Sequence, residues 1–258
     1  MTTSERLLAV LDLFTVERPD WSVDEVAAKL GLAVSTAYRY FNSLSTSGLL
    51  TTFGGGRYRL GPTILRYDRQ LRLTDPLVLA ARMEMDRLAR IVPGQTVAFI
   101  CRLFVDQVIC VAQSAIDDPP FAVGYERGRL MPLFAGSASR VILANLPARH
   151  LRSLYRREPL AFSAAGLGHD WITVRSALRR HREAKGCVIN GEVDPGMRGI
   201  SVALFGLNGE VIGSLSIAGR IGVLTEQVTE RLLIEIDYGG SAIERDLQRI
   251  AEGHCQLG

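Results

Sequence analysis

Residues 22–60, SVDEVAAKLGLAVSTAYRYFNSLSTSGLLTTFGGGRYRL, constrain this chain more than any other stretch. Ser22 stands three residues before Glu25, the spacing of a reciprocal helix cap. Val23, Val26, Ala27 and Leu30 then recur at helical intervals. Gly31 ends that helix and Leu32-Ala33 make a turn. A second helix runs from about 34 to 47, where Gly48 stops it. Two short runs, 49–53 and 57–60, flank Gly54-Gly55-Gly56, a tip whose freedom at positive φ suits a hairpin. Two helices and a glycine-tipped hairpin predict a winged helix-turn-helix, which sets one helix in a DNA major groove.

Charge supports that layout. Residues 1–30 carry Arg6, Arg18 and Lys29 against Glu5, Asp12, Glu17, Asp20, Asp24 and Glu25, a net of −3. Residues 31–73 carry Arg39, Arg57, Arg59, Arg66, Arg69 and Arg72 against Asp68, a net of +5. The basic side thus begins with the candidate recognition helix, where a phosphate-facing surface needs it. On that helix Ala37, Tyr40, Phe41 and Leu44 form an inward face. Ser35, Thr36, Tyr38, Arg39 and Asn42 lie on and near the outer side. Arg39 suits a guanine edge and Asn42 an adenine edge. Ser35 and Thr36 suit a phosphate at the helix start, although Ser35 could equally cap the helix. Arg57, beside the wing tip, could enter a minor groove or touch backbone, and Arg59 could pair with an acid of the first two helices.

The first helix is expected over 4–17 with Ser4 as its cap, ended by Pro19-Asp20. Residues 62–90 read as helical with a break at Asp75-Pro76, giving a basic linker helix and the first helix of a further domain. Strands are expected at 96–104, 107–115 and 120–133, helices at 135–146, 148–157 and 171–185, and a loop at 161–170. Two strands, 198–206 and 211–218, meet at the Asn208-Gly209 turn, and a helix closes the chain over 225–250. The order is mixed rather than βαβ, so the fold class is α+β. The domains read as 1–61, a linker helix at 62–75, and 76–258.

Several classes are disfavoured. Cys101, Cys110, Cys187 and Cys255 form no CxxC pair, so zinc and a disulfide framework are not expected. No apolar run reaches the ~20 residues of a membrane span, and the first residues lack signal-peptide character. A soluble cytoplasmic protein without cofactor or metal is expected. The triple glycine is followed by neither Lys-Ser/Thr nor a helix, which argues against a phosphate cradle. Gly136-Ser137-Ala138-Ser139-Arg140 lacks the last glycine of a nucleophile elbow, although His150, His169, His181 and His254 follow it. A hydrolase, or a metabolite-binding protein with no DNA-reading role, is the alternative function.

Taken together, these residues resemble the IclR family of bacterial transcriptional regulators. In the N-terminal part the resemblance rests on Arg6-Leu7-Leu8, Val26-Ala27, Leu30-Gly31-Leu32, Ser35 to Arg39, Leu44, Gly48-Leu49 and Arg57 to Gly61. In the remainder it rests on Pro132-Leu133, Ala135, Arg179 to Gly186, Pro195 to Ser201, and Gly209 to Ile217 with Gly219 and Leu224-Thr225. It implies a GAF-like α/β effector-binding domain behind the winged helix. It also implies a homodimer or homotetramer on a palindromic double-stranded operator, and a small-molecule effector, often an acid of aromatic or glyoxylate-type metabolism. By the same resemblance the effector pocket is drawn from Phe121, Gly124, Met131, Ala135, Gly136, Ser137, Ala138, Ser139, Gly199, Ser201, Ser216 and Ala218. Arg198 could face the ligand or pair with Glu192 or Asp194. Two departures stand out. Many relatives read His-Ala-Thr/Ser-Ala/Gly-x-Gly-Lys where this chain has Phe134 to Arg140, and Ala218 replaces the second serine of a Ser-x-Ser-Gly run. The helix start after Leu133 offers exposed amides and two serines to a carboxylate.

Overall fold

In the computed structural model, which describes residues 2–117, 121 and 123–255, the cap at Ser22 forms as its spacing requires. The Ser22 hydroxyl accepts from the Glu25 amide, and the Glu25 carboxylate accepts from the Ser22 amide at 2.9 Å. That cap starts α2 (Val23–Leu30), which ends on Gly31 at φ +62°. Across the turn, α3 (Val34–Thr46) buries Ala37, Tyr40, Phe41 and Leu44. These pack with Val26 of α2 and with Val10, Phe14, Trp21 and Leu50. Strands β1 (Trp21–Ser22), β2 (Leu50–Thr52) and β3 (Arg57–Leu60) form an antiparallel sheet in the order β1-β3-β2, with β2 and β3 as the wing.

The first helix, α1 (Thr3–Ala9), is shorter than its periodicity suggests and is followed by a single 3-10 turn at Leu11–Leu13. The Trp21 indole donates to the Leu13 carbonyl at 2.8 Å, which diverts that carbonyl from a helical ladder. The cap is Thr2 rather than Ser4, paired reciprocally with Glu5. At the other end of the unit α4 (Thr63–Thr74) begins on Thr63, whose buried hydroxyl donates to the Ser47 carbonyl. Met1–Thr74 form one compact unit and Asp75–Gly258 a second.

The second unit is a three-layer α+β fold. Its six strands are β4 (Thr96–Phe104), β5 (Gln107–Ala115), β6 (Leu130–Pro132), β7 (Cys187–Asn190), β8 (Met197–Phe205) and β9 (Val211–Arg220). They pair antiparallel in the order β6-β5-β4-β9-β8-β7. Alternation along β4 sorts the layers. Ala98 and Ile100 face α5 (Pro76–Ala89) and α10 (Glu226–Cys255). Val97, Phe99 and Cys101 face α6 (Gly136–Asn145), α7 (Ala148–Arg157), α8 (Pro159–Ala164) and α9 (Trp171–Glu183).

Two expectations change here, and one strand is new. The strand expected over 120–133 contracts to β6, because Gly128 turns at φ +85° and gives its amide to the Cys110 carbonyl. Residues 120 and 122 of that region lie outside the described residues. Part of the expected loop at 161–170 is helix α8, drawn in by Phe162, which is fully buried against the rings of Phe134 and Tyr155. Edge strand β7 was not legible in the sequence; only pairing with β8 defines it.

Candidate functional site

The outer face of α3 comes first. Ala33 is its N-cap and supplies no side-chain acceptor, so Ser35 does not cap the helix. Ser35, Tyr38, Arg39 and Asn42 are exposed, and Thr36 is half-buried. Tyr38, Arg39 and Asn42 line one groove of about 400 Å³ together with Ser45, Thr52 and Tyr58 of the helix and wing. The last three escaped the sequence reading, because their place depends on how β2 and β3 fold against α3. The Ser45 hydroxyl in this groove is buried without a hydrogen-bond partner.

The wing is anchored rather than loose. The Arg57 guanidinium pairs with Asp20 and reaches Glu25 at 3.2 Å. Arg59 pairs with Asp20 at 3.3 Å and stacks on Phe53 at 3.3 Å. The hydrogen bond from Arg57 holds the Asp20 carboxyl below its usual range against a smaller opposing effect of burial. The sequence placed Arg57 at the tip for nucleic acid; in the fold its charge is committed to the two acids that precede and open α2. The tip itself is Gly54, Gly55 and Gly56, all at positive φ.

The second site lies where α6 crosses β8 and β9. The α6-facing sides of these strands carry Gly199, Ser201, Ala203, Ser214, Ser216 and Ala218. Small residues let the helix sit close, and Gly136 to Ala144 are all buried. Ser201 is 2.8 Å from both the Ser137 and Ser216 hydroxyls. A single Ser201 proton serves one of them, so the other must donate to Ser201. Tyr125 donates to the Ala135 carbonyl at 2.8 Å and meets the Ser139 hydroxyl at 2.9 Å. Burial pushes the Tyr125 phenol well above its usual range, so it stays protonated.

Of the residues proposed for a pocket, the fold gathers Gly136, Ser137 and Gly199 around a void of about 30 Å³. Ser201 and Ser216 stand directly behind them through the serine chain. Ala218 is paired with Gly199 across the strands. Gly124 is tied to the rim by its amide, which donates to Asp194 at 2.7 Å. Met131 and Ala138 belong to the hydrophobic core, and Phe121 packs on its edge beneath Arg220. Ala135 lines a separate outer cleft of about 680 Å³ with Phe134, Arg140 and Glu192. Lining residues that the sequence did not assign to the pocket are Phe99, Tyr125, Ile189, Gly191, Glu192, Val193, Asp194 and Met197. Their only signal was two acids enclosed between Gly191 and Gly196.

The start of α6 is not open. The Gly136 amide donates to Glu192 at 2.9 Å, and the other oxygen of that carboxylate meets buried Arg140 at 2.9 Å. Arg198 is structural, but through partners other than Glu192 or Asp194. It binds Asn190, the Leu224 carbonyl, Thr229 and Glu226. Among the described residues neither Ser137 nor Ser139 hydrogen-bonds a histidine: their hydroxyls meet Ser201 and Tyr125, while His150 is held by Asp106 and His169 by Ser163.

A winged helix with an exposed polar reading face that carries Arg39, joined to a sheet unit with a buried polar pocket, defines a DNA-binding regulator with an effector domain. A model of the IclR helix-turn-helix domain matches residues 3–52, and one of the bacterial transcriptional regulator IclR C-terminal matches residues 74–245. The chain belongs to the IclR family of bacterial transcriptional regulators. It is 24% identical over 247 residues to the Pca regulon regulatory protein of Pseudomonas putida, covering 96% of this chain and 83% of that one. An IclR transcriptional regulator from Alicyclobacillus acidocaldarius superposes with TM-score 0.78 at 22% identity, over 95% of this chain and 98% of that one. An IclR homolog from Microbacterium hydrocarbonoxydans, complexed with 4-hydroxybenzoate, superposes with TM-score 0.70 at 20% identity, over 96% and 100%. No helix among the described residues is long and apolar enough to cross a membrane.

Proposed function

We propose that this regulator reads a palindromic operator as a homodimer or homotetramer and controls a catabolic operon in response to a small carboxylate, with an aromatic acid as the best match. The observation that carries the DNA half is the groove that unites Tyr38, Arg39 and Asn42 of α3 with Thr52 and Tyr58 of the wing. Arg39 takes a guanine edge, Asn42 an adenine edge, and the uncapped start of α3 with Ser35 and Thr36 takes phosphate. Arg57 acts by fixing the wing to α2. A dimer places two such surfaces on half-sites about 34–36 Å apart or a multiple of that.

The effector half rests on the polar lining at Gly136, Ser137, Gly199 and the serine chain. The bound 4-hydroxybenzoate of the Microbacterium protein and the Pca regulon name of the Pseudomonas relative favour an aromatic acid. Domain boundaries at 61 and 75 leave α4 as the linker through which the effector state reaches the recognition helices. For that to work, the effector must bind the two states unequally.

Selection from random duplexes, repeated with Arg39→Ala, tests the reading. A palindromic motif that Arg39→Ala blurs at one position in each half-site is the expected result. No enriched motif from folded protein would overturn autonomous operator reading.

A further inference from the structure

Val193 projects into the same space as the proposed effector. A Cβ built on Gly124 collides with one Val193 methyl, and one built on Gly136 comes within 2.9 Å of the other. On either side of Val193, the Glu192 carboxylate occupies the Gly136 amide and Arg140, while Asp194 occupies the Gly124 amide. Three consecutive side chains thus fill or close one site. The space left, about 30 Å³, takes about one or two waters. Small-molecule pockets usually span ~300–1,000 Å³. No aromatic acid fits beside Val193. Outside lies the cleft of about 680 Å³, and Glu192 lines both spaces. The segment is bounded by Gly191 at φ +67° and Gly196 at φ +78°, positions at which the chain can turn without side-chain strain.

We infer that Glu192 is an internal ligand of the effector pocket, and that the effector is an anion whose carboxylate takes over the Gly136 amide and Arg140 while Val193 is withdrawn. The inference rests on the effector reading above and deepens it. It assigns the counter-charge to Arg140, a residue 5% exposed whose guanidinium also donates to the Phe134 carbonyl. It further makes the closed pocket a competitor, because each contact the effector gains is one that Glu192 must give up.

Benzoate is the probe, and the full-length protein is the material. Glu192→Ala vacates the carboxylate position, and Glu192→Gln keeps its size without its charge. Calorimetry is expected to show benzoate binding to Glu192→Ala roughly tenfold or more tighter than to wild type. Glu192→Gln should gain less, and Glu192→Ala combined with Arg140→Met should lose the gain. If neither Glu192 variant, each shown folded by its melting transition, binds benzoate more tightly than wild type, the inference is overturned. Operator affinity measured with and without benzoate separates the two readings. Tighter binding to Glu192→Ala that leaves operator affinity unchanged would keep Glu192 as an internal ligand and remove the pocket from regulation.

Discussion

Two helices in this molecule begin on an alanine that supplies no side-chain cap, and their fates are opposite. Helix α3 starts at Ala33 with exposed residues around it, whereas α6 starts at Ala135 and is buried along Gly136 to Ala144. At α3 no acidic residue stands in the first turn. At α6 a carboxylate from a distant loop, Glu192, takes the Gly136 amide. An uncapped helix start costs stability in either place. In α3 the exposed start is available to a polymer of phosphates. In α6 the enclosed start is satisfied from within, so an anion directed there would have to displace Glu192.

The largest way to break this contrast is at Gly136. Its φ of +78° and a Cβ within 2.7 Å of the Tyr125 hydroxyl make Gly136→Ala both strained and overpacked. Left-handed strain of ~1–2 kcal/mol and overpacking of ~1–3 kcal/mol predict a loss of about 2–5 kcal/mol. Urea denaturation should show this in the transition of the second unit.

Arg39→Ala is next. It should cost about 1–3 kcal/mol of discrimination at one base pair per half-site, read by competition between operators that differ at that position. Non-specific affinity should fall far less.

Ala33→Asp sharpens the comparison directly by giving α3 the internal carboxylate that α6 has. A new cap should stabilise the first unit by roughly 1 kcal/mol in thermal melts. Operator affinity should fall several-fold at the same time, because the carboxylate competes with phosphate for the same amides. A stabilised variant with unchanged operator affinity would remove the start of α3 from the proposed phosphate contacts.

The smallest effect concerns the wing. Its hydrogen bond to Arg57 holds Asp20 below the ordinary value of 3.8, so the contribution of this ion pair is present above that pH and lost as pH falls through the lower folded value. Acid titration of the first unit should therefore steepen below about pH 4, and Asp20→Asn should flatten that limb.

Legibility in the sequence followed the range of the interactions. The Ser22–Glu25 cap, the buried stripe Ala37, Tyr40, Phe41, Leu44 and the strand-forming composition of 96–104 and 107–115 are set by neighbours in the chain, and each was readable. Strand β7 carries too short a pattern to identify without β8. Glu192 and Gly136 are 56 residues apart, and only the sheet order brings their loops together. The partner of Arg57 was hidden for the same reason. Its position beside the glycine tip suggested nucleic acid, whereas Asp20 lies 37 residues earlier and meets it only once β1 pairs with β3. Proximity to the tip was readable, and the partner was not.

The glycine tip of the wing also has a consequence for how such a protein can diversify. Each of Gly54, Gly55 and Gly56 has open space where a side chain would stand, yet each holds φ between +47° and +72°. The tip is free in volume and restricted in handedness. Random codons at these three positions should return mostly glycine, asparagine and aspartate, with β-branched residues absent. Variation in operator preference would then accumulate along α3, where positions can be exchanged one at a time, and seldom at the wing's end.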